Sequence, residues 1–156
     1  MKTIKRRRRE AKTDYRTRLT LLKSGKPRIV IRKTNRYIIA QIVSSDIAQD
    51  RVVVGLTSKV LLEKGWPREL SGCLKNRSAA YLTGFLLGKA AQKEKINSAI
   101  FDMGMNRNVP KSRLFSALKG AIDSGLKIPH KPESLPSMEM IKNEKTSKIF
   151  DKIIGE

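Results

Sequence analysis

Residues 28–43 read RIVIRKTNRYIIAQIV, and this stretch decides the fold. Arg28-Ile29-Val30-Ile31-Arg32-Lys33-Thr34 and Tyr37-Ile38-Ile39-Ala40-Gln41-Ile42-Val43 are runs rich in β-branched residues, which suit a pleated, half-buried strand. Asn35-Arg36 between them has the length of a tight hairpin turn, so an antiparallel pair with a basic tip is expected. Downstream, Ser44 to Asp50 is polar and reads as a second turn region. Arg51-Val52-Val53-Val54-Gly55 then supplies a third strand and completes a meander. Upstream, Pro27 opens the extended chain and Gly25 closes a helix that Thr13 or Asp14 starts. In that helix Tyr15, Leu19 and Leu22 fall on one stripe while Arg16, Arg18 and Lys23 point elsewhere.

Three strands with an apolar face need a cover. The spacing predicts a helix over Asn76 to Lys93, where Tyr81, Leu82, Phe85, Leu86 and Leu87 form a broad apolar surface. Ala80, Gly84 and Gly88 make a separate stripe of small residues. Interior helix glycines cost about 1 kcal/mol each relative to alanine, so close packing of this helix on the sheet is the expected compensation. Ser98 to Met103, bounded by Gly104, reads as a fourth strand reached by a crossover, which makes the sheet mixed. Another helix runs from about Ser112 with Leu114, Leu118, Ala121 and Ile122 on one face, and Gly125 stops it. Pro129, Pro132 and Pro136 interrupt the chain beyond that helix, and Met138 to Ile153 suits one last short helix. The fold class is therefore α/β, a two-layer mixed sheet covered by helices in the order α-β-β-β-α-β-α. Its expected parts are a flexible basic arm (residues 1–12), one globular domain (13–128) and a C-terminal extension with a short helix (129–156).

Charge narrows the function. The 156 residues carry 34 Lys and Arg against 14 Asp and Glu, a formal charge of +20. Residues 1 to 37 alone hold 15 basic and 2 acidic side chains. Such an excess calls for a polyanion. RNA, duplex DNA and an anionic membrane surface are all polyanions. No run approaches the roughly 18 apolar residues that span a bilayer, and no apolar stretch follows the basic start as a secretory signal requires. A soluble intracellular protein with no membrane partner is expected.

Enzyme chemistry finds little to use. Cys73 is the only cysteine, expected half-buried in a loop, and His130 is the only histidine, in a polar stretch facing solvent or RNA. Gly25-Lys26 resembles the end of a phosphate-binding loop. However, Pro27 replaces the needed Ser or Thr, and the chain runs from helix into strand instead of strand into helix. Two-metal nuclease chemistry needs several carboxylates at adjacent strand ends. The first strand offers Arg28, Arg32 and Lys33 instead; Asp102 is the only aspartate placed in a strand, with Asp46 and Asp50 read as turn residues. No catalytic residue, metal, cofactor or small-molecule substrate is expected.

RNA recognition requires cations for phosphates, donors for sugars and bases, and flat surfaces for exposed bases. Arg6, Arg7, Arg8, Arg9, Lys12, Arg16 and Arg18 supply the charge. Arg32, Lys33, Thr34, Asn35 and Arg36 place donors on the hairpin. Tyr15 and Tyr37 each have two open roles, stacking on a base or packing in the core. A second basic loop holds Asn106, Arg107, Asn108, Lys111 and Arg113 just before a helix start.

Four segments, taken in order, carry a resemblance across nearly the whole chain. They are RRRREAKTDYRTRLTLLKSGKPRIVIRKTNRYIIAQ (Arg6 to Gln41), Gly65-Trp66, NRSAAYLTGFLLGKAA (Asn76 to Ala91) and FDMGMNRNVPKSRLFSALKGAIDSGLKIPH (Phe101 to His130). Together they resemble the 5S rRNA-binding family of large-subunit ribosomal proteins, eighteenth in the universal naming, in its archaeal and eukaryotic branch. The resemblance implies an α/β core in the central protuberance of the large subunit, in the cytoplasm. There it would hold 5S rRNA against large-subunit rRNA and neighbouring ribosomal proteins. Carried to matching positions, the family's RNA-contacting arm falls on Arg6 to Arg9, Lys12, Asp14, Tyr15 and Arg16. Its basic strand and hairpin fall on Lys26, Arg28, Arg32, Lys33, Thr34, Asn35 and Arg36. One departure is Asn76-Arg77-Ser78, where relatives often carry Asn-Thr-Pro.

Overall fold

A computed structural model describes residues 3–47 and 49–155. Met1 and Lys2 of the arm, Ala48 of the expected second turn and Glu156 of the extension lie outside the described residues. The β-branched runs form the strands expected of them: β1 (Arg28–Lys33), β2 (Ile38–Asp46), β3 (Gln49–Thr57) and later β4 (Ile100–Asp102). The sheet order is β3-β2-β1-β4, with β1 antiparallel to β2 and parallel to β4, so the sheet is mixed. The Ser44 to Asp50 stretch is mostly strand, a correction to its reading as a turn. Ser44, Ser45 and Asp46 pair with Arg51, Asp50 and Gln49. Asp46 and Asp50 are thus strand residues.

Side chains alternate across a strand, and the alternation sorts the two faces here. Ile29 and Ile31 of β1 join Ile38, Ala40 and Ile42 of β2 in a fully buried core. The opposite face of β1 carries Arg28, Val30 and Arg32.

Helices α1 (Arg6–Arg9) and α2 (Tyr15–Lys23) precede the sheet, and α3 (Val60–Glu63) follows β3. The sequence reading did not foresee α3. Helix α4 (Arg77–Lys93) begins where Asn76 accepts the amide of Ala79 at 2.7 Å, so the cap forms without the Thr-Pro pair. Ser78, at the departure, donates its hydroxyl to the Ile141 carbonyl instead. Helix α5 (Arg113–Asp123) packs on α4, and here the small-residue stripe finds its purpose. A Cβ on Gly84 would overlap the Ala117 carbonyl, and one on Gly120 would overlap the Tyr81 carbonyl. A Cβ on Gly88 would run into Ser124. The glycines therefore bring two helix backbones together; the expected close approach to the sheet is corrected.

The C-terminal extension is part of the same body. It holds α6 (Met138–Ile141) and α7 (Ser147–Gly155) in place of one short helix. Ile141, Ile149, Phe150 and Ile153 are buried in a second core with Leu61, Trp66, Leu74, Tyr81, Leu82 and Phe85. Tyr81 stacks on Phe150 with ring centroids 5.5 Å apart. Burying each such apolar side chain contributes roughly 1.5–3 kcal/mol. Cys73 is exposed, a correction to its half-buried placement.

Candidate nucleic-acid interface

The arm opens the candidate interface. Arg6 to Arg9 form one helical turn, and all four are exposed. The chain then folds back through Ala11, whose φ is 50°, while Lys12 and Thr13 donate their amides to the Arg7 carbonyl. Arg7 Nε donates to the Thr13 hydroxyl at 2.9 Å, and Lys12 pairs with Glu10. Helix α2 starts at Asp14, whose carboxylate accepts the amides of Arg16 and Thr17 and the Thr17 hydroxyl. Those bonds, the Thr17 hydroxyl first, hold the Asp14 carboxyl below the usual aspartate range.

Helix α2 has no buried residue, and Leu19 is 57% exposed. The stripe of Tyr15, Leu19 and Leu22 joins neither core. Tyr15 is half-buried outside both cores, with Lys5 Nζ 4.5 Å from its ring centre. Arg16 is exposed. Arg18 turns inward and bonds Asp50 at 2.8 Å.

Arg28 departs furthest from the sequence reading. Expected among the RNA contacts, the residue is 2% exposed and both terminal nitrogens of its guanidinium are engaged. Nη1 donates to Asp102 at 2.8 Å, and Nη2 donates to Asp50 at 2.7 Å and to Ser45 at 2.9 Å. Two arginines and two aspartates thus form a neutral network that ties α2 to β1, β3 and β4. Partial burial opposes the charge on Asp50, but hydrogen bonds from Ser45, Arg18 and Arg28 outweigh it and keep its carboxyl below the usual range. Asp50 and Ser45 were missed because their polar neighbourhood looked like a turn. Asp102 was noticed as the lone strand aspartate, and its partner lies 74 residues away.

The hairpin tip presents the donors expected of it. Thr34 organises the turn: its hydroxyl donates to the Tyr37 carbonyl and accepts the amides of Arg36 and Tyr37. Lys33, Asn35 and Arg36 are exposed as a result, and Arg32 is half-buried. The Arg32 guanidinium lies over Gly104, where an added Cβ would meet Nη1 at 2.8 Å. With φ at +58°, Gly104 is suited to glycine twice over. Among the described residues, no carboxylate pairs with Arg32, Lys33 or Arg36.

Other candidates spread away from this rim. Lys26 is exposed at the far end of β1 from the hairpin tip, beside a cavity that also borders Lys127 and His130. Tyr37 is half-buried against the second core, with Lys59 Nζ 4.8 Å from its ring centre. In the second basic loop Arg107 and Lys111 are exposed, while Arg113 is half-buried and reaches the Lys75 carbonyl. Ser112, at the start of α5, leaves its hydroxyl buried without a hydrogen-bond partner among the described residues.

Among the described residues no group of three or more His, Cys, Asp or Glu could hold a metal ion, and no helix is long and apolar enough to cross a membrane. An α/β body bearing a cationic rim of arm, helix and hairpin has the charge that suits contact with a polyanion. The family model of ribosomal large subunit proteins 60S L5 and 50S L18 matches residues 1–98 and 89–131, and the chain belongs to that family. Its large-subunit members are structural constituents of the ribosome and not enzymes.

The chain is 47% identical over 151 residues to large ribosomal subunit protein uL18 of Korarchaeum cryptofilum, covering 97% of this chain and 75% of the relative. It is 45% identical over 139 residues to uL18 of Methanothermobacter thermautotrophicus, covering 89% and 70%. The same identity and length relate it to uL18 of Methanoregula boonei, covering 89% and 78%.

Proposed function

We propose that this chain binds 5S rRNA and helps attach it to large-subunit rRNA in the central protuberance, beside neighbouring ribosomal proteins. The observation that supports this most is the cationic rim. Arg6 to Arg9 and the hairpin residues Lys33 and Arg36 are exposed, and Arg32 has no carboxylate partner among the described residues. The mechanism is passive. Guanidinium and ammonium groups displace counterions from phosphates, while the Thr34-braced hairpin fixes register. The interior network neutralises Arg28 and Arg18, so bulk charge is not spread evenly over the molecule.

The test compares 5S rRNA with transfer RNA and duplex DNA at matched, moderately high salt. A preference of at least about tenfold, roughly 1.4 kcal/mol, is expected. In the same assay Arg32→Glu with Arg36→Glu should weaken binding more than Lys142→Glu with Lys145→Glu. Equal losses from the two pairs would reduce the docking to general charge attraction.

A further inference from the structure

Tyr15 is a large aromatic side chain that neither core uses. It lines a cavity of about 720 Å³ between the arm and α2, together with Lys5, Arg7, Arg18, Leu19 and Leu22. That volume falls within the roughly 300–1,000 Å³ of small-molecule sites. The walls combine one aromatic face, two leucines and the cations of Lys5 and Arg7 with the paired Arg18 and Asp50, an arrangement suited to a flat, hydrogen-bonding group attached to an anion. No other aromatic ring stacks on Tyr15 among the described residues. Its ring face is met by the Lys5 ammonium.

A second, narrower cleft of about 60 Å³ adjoins this cavity and shares Arg7, Thr13 and Arg18 with it. Lys12, Arg32 and Gly104 line the remainder, along with Asp14 and Asp102. Both carboxylates are engaged: Asp14 caps α2, and Asp102 holds Arg28 and the Gly104 amide. The cleft thus offers cations next to a flat apolar wall.

We propose that Tyr15 is a stacking platform for one unpaired nucleotide of the bound RNA, its base in the larger cavity and its phosphate toward Arg7, Lys12 and Arg32. This rests on the RNA-binding reading above and names the contact at one place within it. Lys5 covers the ring in the free protein. RNA phosphate draws the ammonium away and exposes the face, and base stacking outweighs the exposed cation–π contact it replaces.

The experiment measures RNA affinity for the full chain and for its Tyr15→Phe and Tyr15→Leu variants, with thermal unfolding run in parallel. Phe retains the platform and Leu removes it. The expected result is an unchanged affinity for Phe and a loss of about tenfold for Leu, with the salt dependence unaltered. Ultraviolet irradiation of the unmodified complex should cross-link a nucleotide to Tyr15. If Leu binds within about twofold of the parent, a difference of only about 0.4 kcal/mol, the platform is overturned. Cross-links at other residues with none at Tyr15 would overturn it equally. Should the parent chain fail to prefer 5S rRNA, the docking reading falls by itself. The Phe and Leu contrast, read on whichever RNA the chain binds, still decides the stacking.

Discussion

Arg28 Nη1 lies 2.8 Å from Asp102 Oδ2, joining neighbouring parallel strands on the face of β1 opposite the aliphatic core. Replacing one member strands the charge of the other in a poorly solvated place. Asp102→Ala should therefore destabilise the fold by about 3 kcal/mol, the low end for breaking a buried pair, because Asp50 still neutralises Arg28. Denaturant unfolding measures it. A variant as stable as the parent but weak in RNA binding would return Arg28 to the interface.

Acid should loosen the same network. The folded pKa of Asp50 lies below its ordinary value of 3.8, so its ionised form is favoured by folding. The stability it contributes is present above about pH 3.8 and is lost as pH falls through the lowered folded value. Asp50→Asn should lower stability at neutral pH and flatten the acid side of the stability profile below pH 3.8. Unfolding free energies across that range provide the check. An unchanged slope would mean that Asp50 makes no difference to acid stability.

Gly84 and Gly120 should tolerate no side chain. Each faces a carbonyl of the partner helix, and backbone cannot step aside as a flexible side chain can. Gly84→Ala forces α4 and α5 apart, with an expected loss of about 1–3 kcal/mol despite alanine's better helix propensity. The thermal midpoint should drop. A rise would mean that the helices separate freely.

Removing residues 1–12 should leave the unfolding transition in place, since no residue of α1 is buried. RNA affinity should fall, and its dependence on salt should flatten by about 0.7–0.9 in slope for each phosphate the arm no longer neutralises. A collapsed transition would show that the arm supports the fold.

Much of this architecture was legible because burial leaves a period in the sequence. Ile29 and Ile31 against Ile38, Ala40 and Ile42 announce two strands, and Leu114, Leu118 and Ala121 announce a helix face. Periodicity identifies a face but not its partner, so Gly84 and Gly88 signalled close approach without revealing α5. Ser44 to Asp50 looked like a turn because the ribbon there runs past the core, where polar side chains suit a strand as well as a loop. Positive charge marked the proposed interface broadly. It could not separate Arg28, neutralised by aspartates 22 and 74 residues away, from Arg36 at the exposed tip.

The stacking of Tyr81 on Phe150 joins the middle of the chain to a segment synthesised long after it. During translation Leu61, Trp66 and Leu82 emerge well before Phe150 and Ile153, which complete their enclosure. Until then the nascent protein carries an apolar wound beside a strongly cationic start. Assembly into a particle must therefore wait for these late residues, or proceed with that face shielded by other means.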